Sequence, residues 1–191
     1  MRHWQPSEVL GRVLLLTTAA VVSAALVACS GQTSGGLWEA ASSGDRDAIV
    51  AQLNAGANIN ARDRDGYTPL HWAAYSGRLE AAQLLLDRGA EIDATDNSKI
   101  TPLMVAVSFS HDNVAELLVA KGANVNARDE NGWTPLAYAA STNDVNAAKL
   151  LIDHGAVVNA EDDTHHSIIE IARQYKAGSV EKLLLSHGAR Y

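Results

Sequence analysis

Five copies of the dipeptide Gly-Ala, beginning at Gly56, Gly89, Gly122, Gly155 and Gly188, follow one another at a constant interval of 33 residues. Thr-Pro-Leu recurs on the same period at Thr68, Thr101 and Thr134. Leu84-Leu85-Leu86 aligns with Leu117-Leu118-Val119, Leu150-Leu151-Ile152 and Leu183-Leu184-Leu185, with no insertion or deletion anywhere. A chain this regular is built from small identical elements, each of which hides its apolar face only against the next.

The residues of one unit say what the element is. Thr68 can cap a helix through its hydroxyl, and Pro69 suits the first helical turn, where a missing N–H costs nothing. Leu70, Ala73 and Ala74 then form one apolar face, and Gly77 ends that short helix. A second helix is expected from about Leu79 to Arg88, with Leu84 and Leu85 on its buried side. Gly89 supplies the left-handed residue that closes it. Asp65-Gly66 favours a tight reversal between units. Helices of about 8–10 residues do not persist alone in water, so the units must be stacked to exist. Hydrophobic residues make up 47% of the chain but aromatics only 5%, a balance of Ala, Leu and Val that suits closely packed short helices.

The run Thr68-Pro69-Leu70-His71-Trp72-Ala73, set in its fixed period, resembles the ankyrin-repeat family, and the resemblance extends over about 155 residues. It implies an all-α solenoid of about five helix-turn-helix units: 37–64 (truncated), 65–97, 98–130, 131–163 and 164–191. Polar residues at the ends, Asp45, Arg46, Asp47 and Gln52 in the first unit and Glu181, Lys182 and Ser186 in the last, read as solvated caps. Some positions depart from the pattern. Lys99 stands where the other turns have Gly66 and Gly132, which puts a regular turn there in doubt. Met104, Ala137 and Glu170 replace His71, and Ser167-Ile168-Ile169 replaces Thr-Pro-Leu, so the fifth unit reads mainly as a cap.

Ahead of the repeats lies a different kind of segment. Arg2 and Arg12 flank a basic leader, and Val13 to Ala28 is an uncharged apolar run of about 16 residues, short of the ~20 that span a bilayer. It ends in Leu26-Val27-Ala28-Cys29, which resembles the bacterial lipobox. That resemblance implies a signal peptide, 1–28, cut before Cys29, and acylation of Cys29. An ordinary signal peptide cut nearby, leaving a free thiol, is the other reading. Multiple acyl chains give stable attachment. Ser30, rather than Asp, after the cysteine implies delivery to an outer membrane, with the body facing the periplasm. Residues 29–36 have the composition of a flexible tether, roughly 15 Å long on average.

Cys29 is the only cysteine, which excludes an intramolecular disulfide and a cysteine metal site. Removing Arg2, Arg12 and Glu8 from totals of 15 basic and 22 acidic residues leaves 13 and 21, a net charge of −8 with His neutral. An acidic body is repelled by phosphate backbones, so a basic protein is a better partner than nucleic acid.

Catalytic motifs are missing: there is no His-Glu-x-x-His helix, no Gly-x-Ser-x-Gly elbow and no phosphate-cradling glycine loop. No cofactor is expected, and no enzyme. Asp162-Asp163-Thr164-His165-His166 is the one cluster with metal-ligating chemistry, and with it a metal-dependent hydrolase is the remote alternative. Adjacent histidines on a turn need not converge, however, and a solvated turn is the plainer reading. His71 is expected to bond the backbone of neighbouring turns. His154 and His187 precede closing glycines, where they suit a helix C-terminus, and His111 reads as a solvated residue opening an outer helix.

Stacking brings residues 33 apart side by side. Asp63, Asp96, Asp129 and Asp162 then form one acidic row, expected to bond local backbone in the turns, with a site for a cationic partner as the alternative. In the ankyrin-repeat family the turn tips and inner helices line a concave surface that binds partner proteins. Tyr67, Tyr75, Phe109, Trp133 and Tyr175 fall on that surface here, flanked by Asp65, Glu130 and Asn131. Exposed aromatics are typical anchors. Trp72 and Tyr138 are expected to pack on the core. The function implied is a monomeric, lipid-anchored envelope module that binds a partner protein. An immunity factor neutralising a toxin or an envelope enzyme is the sharper alternative.

Overall fold

A computed structural model of the chain describes residues 34–190. The leader, Cys29 and most of the tether lie outside the described residues. Ten helices follow in order: α1 (Ser34–Ser43), α2 (Arg46–Asn54), α3 (Pro69–Tyr75), α4 (Leu79–Asp87), α5 (Pro102–Ser108), α6 (Asp112–Ala120), α7 (Pro135–Thr142), α8 (Val145–Asp153), α9 (Ile168–Gln174) and α10 (Gly178–Ser186). No described helix is long and apolar enough to cross a membrane.

The odd-numbered helices pack on one another as an inner layer, and the even-numbered ones as an outer layer. Each unit is therefore one antiparallel pair covered by the next. Leu70, Leu103 and Leu136 are 0% exposed at the same position of successive inner helices, and Leu85, Leu118 and Leu151 at that of successive outer ones. Small residues let these layers approach: Ala73, Ala74, Ala81, Ala82, Ala139 and Ala148 are also fully buried. α1 begins at Ser34, so Ser34 to Gly36, read from composition as tether, are helical. The fifth unit, read as mainly a cap, has both helices of the pair. Ser167 opens α9 with a reciprocal cap, its N–H donating to Glu170 Oε2 at 2.8 Å and its hydroxyl accepting the Glu170 N–H at 3.4 Å.

Hydrogen bonds repeat at the same interval as the sequence. The Asn97, Glu130 and Asp163 amides donate to the Asp65, Ser98 and Asn131 carbonyls at 3.0, 2.9 and 3.0 Å, so the turn tips form a backbone ladder. Between each outer helix and the next turn tip, side-chain oxygens of Asn60, Asp93, Asn126 and Asn159 accept the Glu91, Asn124, Val157 and Arg190 amides at 2.8–3.0 Å. Each bond crosses from one unit to the next.

The acidic row is part of the same framework. In Asp63, Asp96, Asp129 and Asp162, one carboxylate oxygen accepts the amides two and four residues on, at 2.7–3.0 Å. These are the turn-forming bonds that the sequence suggested. The turn at Lys99 is regular after all. Its amide donates to the Asp96 carbonyl at 3.2 Å, matching 3.1 Å at both Gly66 and Gly132. Lys99 adopts φ 63°, the left-handed region, at a cost of about 1–2 kcal/mol that the ladder on either side sustains. At Gly132 a side chain would meet two obstacles: φ is 82°, and a Cβ would lie 2.8 Å from the Asp163 backbone nitrogen.

His71 is fully buried and joins two units, as expected. Its Nδ1 accepts the Thr68 N–H at 3.1 Å, which leaves Nε2–H to donate to the Ile100 carbonyl at 3.0 Å. Burial pushes the imidazole down to about 4. The folded state thus refuses a proton that the unfolded chain takes up near 6.5. Stability from this residue is complete above that value and is lost as pH falls toward 4. His71→Gln keeps an acceptor and a donor but does not titrate. Between pH 7 and pH 5 the wild-type protein is expected to lose about 2 kcal/mol, or roughly 5 °C of Tm, more than this variant. The comparison cancels the buried Asp96 and Asp129, whose raised carboxyls act in the opposite sense. Parallel melting curves of the two proteins at both pH values check it.

Candidate partner-binding surface

Aromatic side chains of the second and third units meet along the inner layer. The rings of Tyr67 and Trp72 are 5.8 Å apart, those of Trp72 and Tyr75 5.7 Å, and those of Tyr75 and Phe109 4.6 Å. The last two pairs are edge-to-face, the geometry that ring quadrupoles favour. All four side chains are half-buried and lie against the core, so each offers an immobilised ring with one side open. Trp72, read from sequence as packing only, belongs to this row. Its indole N–H donates to Asp63 Oδ2 at 3.0 Å, which ties the ring to its own turn. Burial raises the Tyr67 phenol above its ordinary range, helped by the Asp96 and Asp63 carboxylates, so it presents a neutral hydroxyl.

Trp133 corrects an expectation. It was expected as an exposed anchor, yet it is 7% exposed. Its ring lies edge-on to Tyr138 at 5.3 Å and to Tyr175 at 6.2 Å. Tyr175 comes from the fifth unit and is itself half-buried, so this second cluster turns little aromatic surface outward. Tyr138 is buried as expected, and its hydroxyl donates to Asp129 Oδ2 at 2.8 Å.

Asp65 and Glu130 are exposed at the turn tips and Asn131 is half-buried there, each held by the backbone ladder. Lys99 stands exposed in the tip between them. Arg128 bridges two tips, reaching the Glu161 carbonyl at 2.8 Å and Asp163 Oδ1 at 2.9 Å.

The metal-ligating cluster does not converge. His165 Nδ1 faces Glu161 at 3.5 Å and His166 Nδ1 faces Asp162 at 3.6 Å, so the two rings serve separate carboxylates. Among the described residues no group of three or more His, Cys, Asp or Glu is placed to hold a metal ion. His154 and His187 bond the Leu150 and Leu183 carbonyls of their own last helical turns at 2.8 and 2.9 Å. His111 is not simply solvated: half-buried, it donates from Nε2 to the Tyr75 carbonyl at 3.0 Å.

Paired helices on a 33-residue period, joined by stacked turns, are matched by the family model for ankyrin repeats (three copies) over residues 37–129 and 125–191. The chain belongs to the ankyrin-repeat family. No curated protein matches it. As an ankyrin-repeat chain it is a protein–protein interaction module, and such proteins generally work without catalysis.

Proposed function

We propose that the protein is a lipid-anchored envelope module that holds a partner protein against the inner-layer row Tyr67, Trp72, Tyr75 and Phe109. The observation that carries this reading is the row itself. Four half-buried rings from two consecutive units form a surface fixed before a partner arrives. Rings already ordered by packing lose little freedom on binding, so more of their contact energy is kept as affinity. Asp65, Glu130 and Asn131 form a polar margin at the tips. With 21 acidic and 13 basic residues after the leader, the body favours a basic partner. Trp133 and Tyr175 belong to the separate cluster with Tyr138 and are not part of this row. No catalytic role is assigned to any residue. Anchoring rests on the leader and Cys29, and Ser30 after it supports delivery to an outer membrane with the body facing the periplasm.

The test is affinity capture from envelope extract using the wild-type lipoprotein, Tyr75→Ala/Phe109→Ala and Cys29→Ser. The double variant is expected to recover the partner at least about tenfold less well, as for aromatic anchors, while melting as a folded protein. Cys29→Ser is expected to leave the membrane fraction yet still capture the partner. Equal recovery by the folded double variant rejects the surface, and membrane retention of Cys29→Ser rejects the anchor.

A further inference from the structure

The outer helices begin at a second set of junctions, on the far side of the inner helices from the turn tips. At the first of these, Arg78 Nε donates to the Ser42 carbonyl of the preceding unit at 3.0 Å. At the next, the equivalent residue, His111, donates to the Tyr75 carbonyl at 3.0 Å. The third member of this row is Asp144, and an ionised carboxylate has no proton to give.

Asp144 is the N-cap of α8, and its Oδ1 accepts the Ala147 N–H at 3.0 Å. Its other oxygen, Oδ2, is buried and has no donor. One other buried side-chain atom among the described residues is in the same position: Oδ1 of Asp112, at the start of α6 in the preceding unit. Asp112 Oδ2 is satisfied by the Asn146 amide at 3.0 Å. Two orphaned oxygens thus belong to two carboxyl groups that act on each other across one junction. A buried acceptor without a donor is costly, and two facing carboxylates add repulsion. A single proton removes both penalties.

We propose that Asp112 and Asp144 share one proton in a carboxyl–carboxylate hydrogen bond that clasps the third unit to the fourth, so that this junction loosens as the solution turns alkaline. The surroundings favour the protonated pair. From α6, Asp112 faces Asp144, while the neighbouring His111 is committed to Tyr75. α7 carries no charged residue, and Asn143 after it accepts the Val180 amide at 3.2 Å. In α10 the first charged residue, Glu181, is paired with Arg173 at 2.6 Å. Lys176, ahead of that helix, is exposed. Desolvation first, and then the Asp112 charge, raise the Asp144 carboxyl above its ordinary range, while the Ala147 amide and the Ser110 hydroxyl act the other way. A carboxyl raised in the folded state stabilises it fully below the ordinary carboxylate range, and that contribution disappears as pH rises through the raised value.

Two measurements on the full chain test the clasp. Carbon-13 labelling of the aspartate carboxyls should show Asp144 titrating above the ordinary carboxylate range. Asp144→Asn retains a good N-cap and supplies a permanent N–H toward Asp112. It is expected to flatten the fall of Tm with rising pH and to melt about 3 °C or more above the wild type at pH 8. Titration of Asp144 in the ordinary range overturns the proposal, as does an Asp144→Asn profile parallel to that of the wild type.

Discussion

Leu103→Ala is expected to destabilise the repeat body by about 3 kcal/mol, roughly 9 °C of Tm. Leu103 is 0% exposed in α5, the inner helix of the middle unit, with α3 on one side and α7 on the other. The cavity therefore opens on two interfaces at once, and neither neighbour can collapse into it without leaving its own. In a stack where each unit touches only the adjacent ones, the middle unit also couples the two ends. Its weakening should broaden the urea transition as well as shift it, because the flanking pairs begin to unfold separately. Leu185→Ala is the control. That side chain is 43% exposed in the last outer helix, and its loss should change stability by no more than about 0.5 kcal/mol. Equal costs at the two positions, read from urea unfolding, would contradict a core made of buried inter-unit layers.

What the sequence disclosed and what it hid divide along the same line. Features belonging to a single unit were legible. Thr-Pro-Leu marked the start of three inner helices, Gly-Ala the end of each outer one, and the aspartate row the turns, because each acts on backbone within a few residues. Features depending on what the next unit supplies were not. Trp133 occupies the same repeat position as half-buried Tyr67, yet Tyr138 and Tyr175 cover it, and Tyr175 belongs to the following unit. Lys99 looked unsuited to its turn, but the Glu130 amide bonds the carbonyl of Ser98 beside it and holds the register. In the sequence the row of Asn60, Asp93, Asn126 and Asn159 had no evident reason to be singled out. Only the amides it satisfies, 31 residues on, give it one. The same holds for Asp112 and Asp144, which read separately are ordinary residues at helix starts.

That dependence on cover sets the outcome at the aspartate row. Asp129→Ala is expected to cost roughly 3–5 kcal/mol, well above the same change at Asp162. Asp129 is 6% exposed and accepts three donors: the Asn131 and Trp133 amides at 2.9 and 2.8 Å, and the Tyr138 hydroxyl at 2.8 Å. Deleting the carboxylate strands all three where water has little access. Asp162 also accepts three donors, from the Thr164 and His166 amides and the Thr164 hydroxyl. Thr164 and His166 are exposed, however, so water can replace the lost acceptor, and about 1 kcal/mol is expected there. Asp129→Asn should lie between the two, since one oxygen still serves both amides and only the Tyr138 hydroxyl must find a new role as acceptor. Urea unfolding of the three variants decides the order. Were Asp162→Ala as damaging as Asp129→Ala, the bonds themselves would be what matters, and exclusion of water by the Trp133–Tyr138–Tyr175 cluster would have no part in holding that turn.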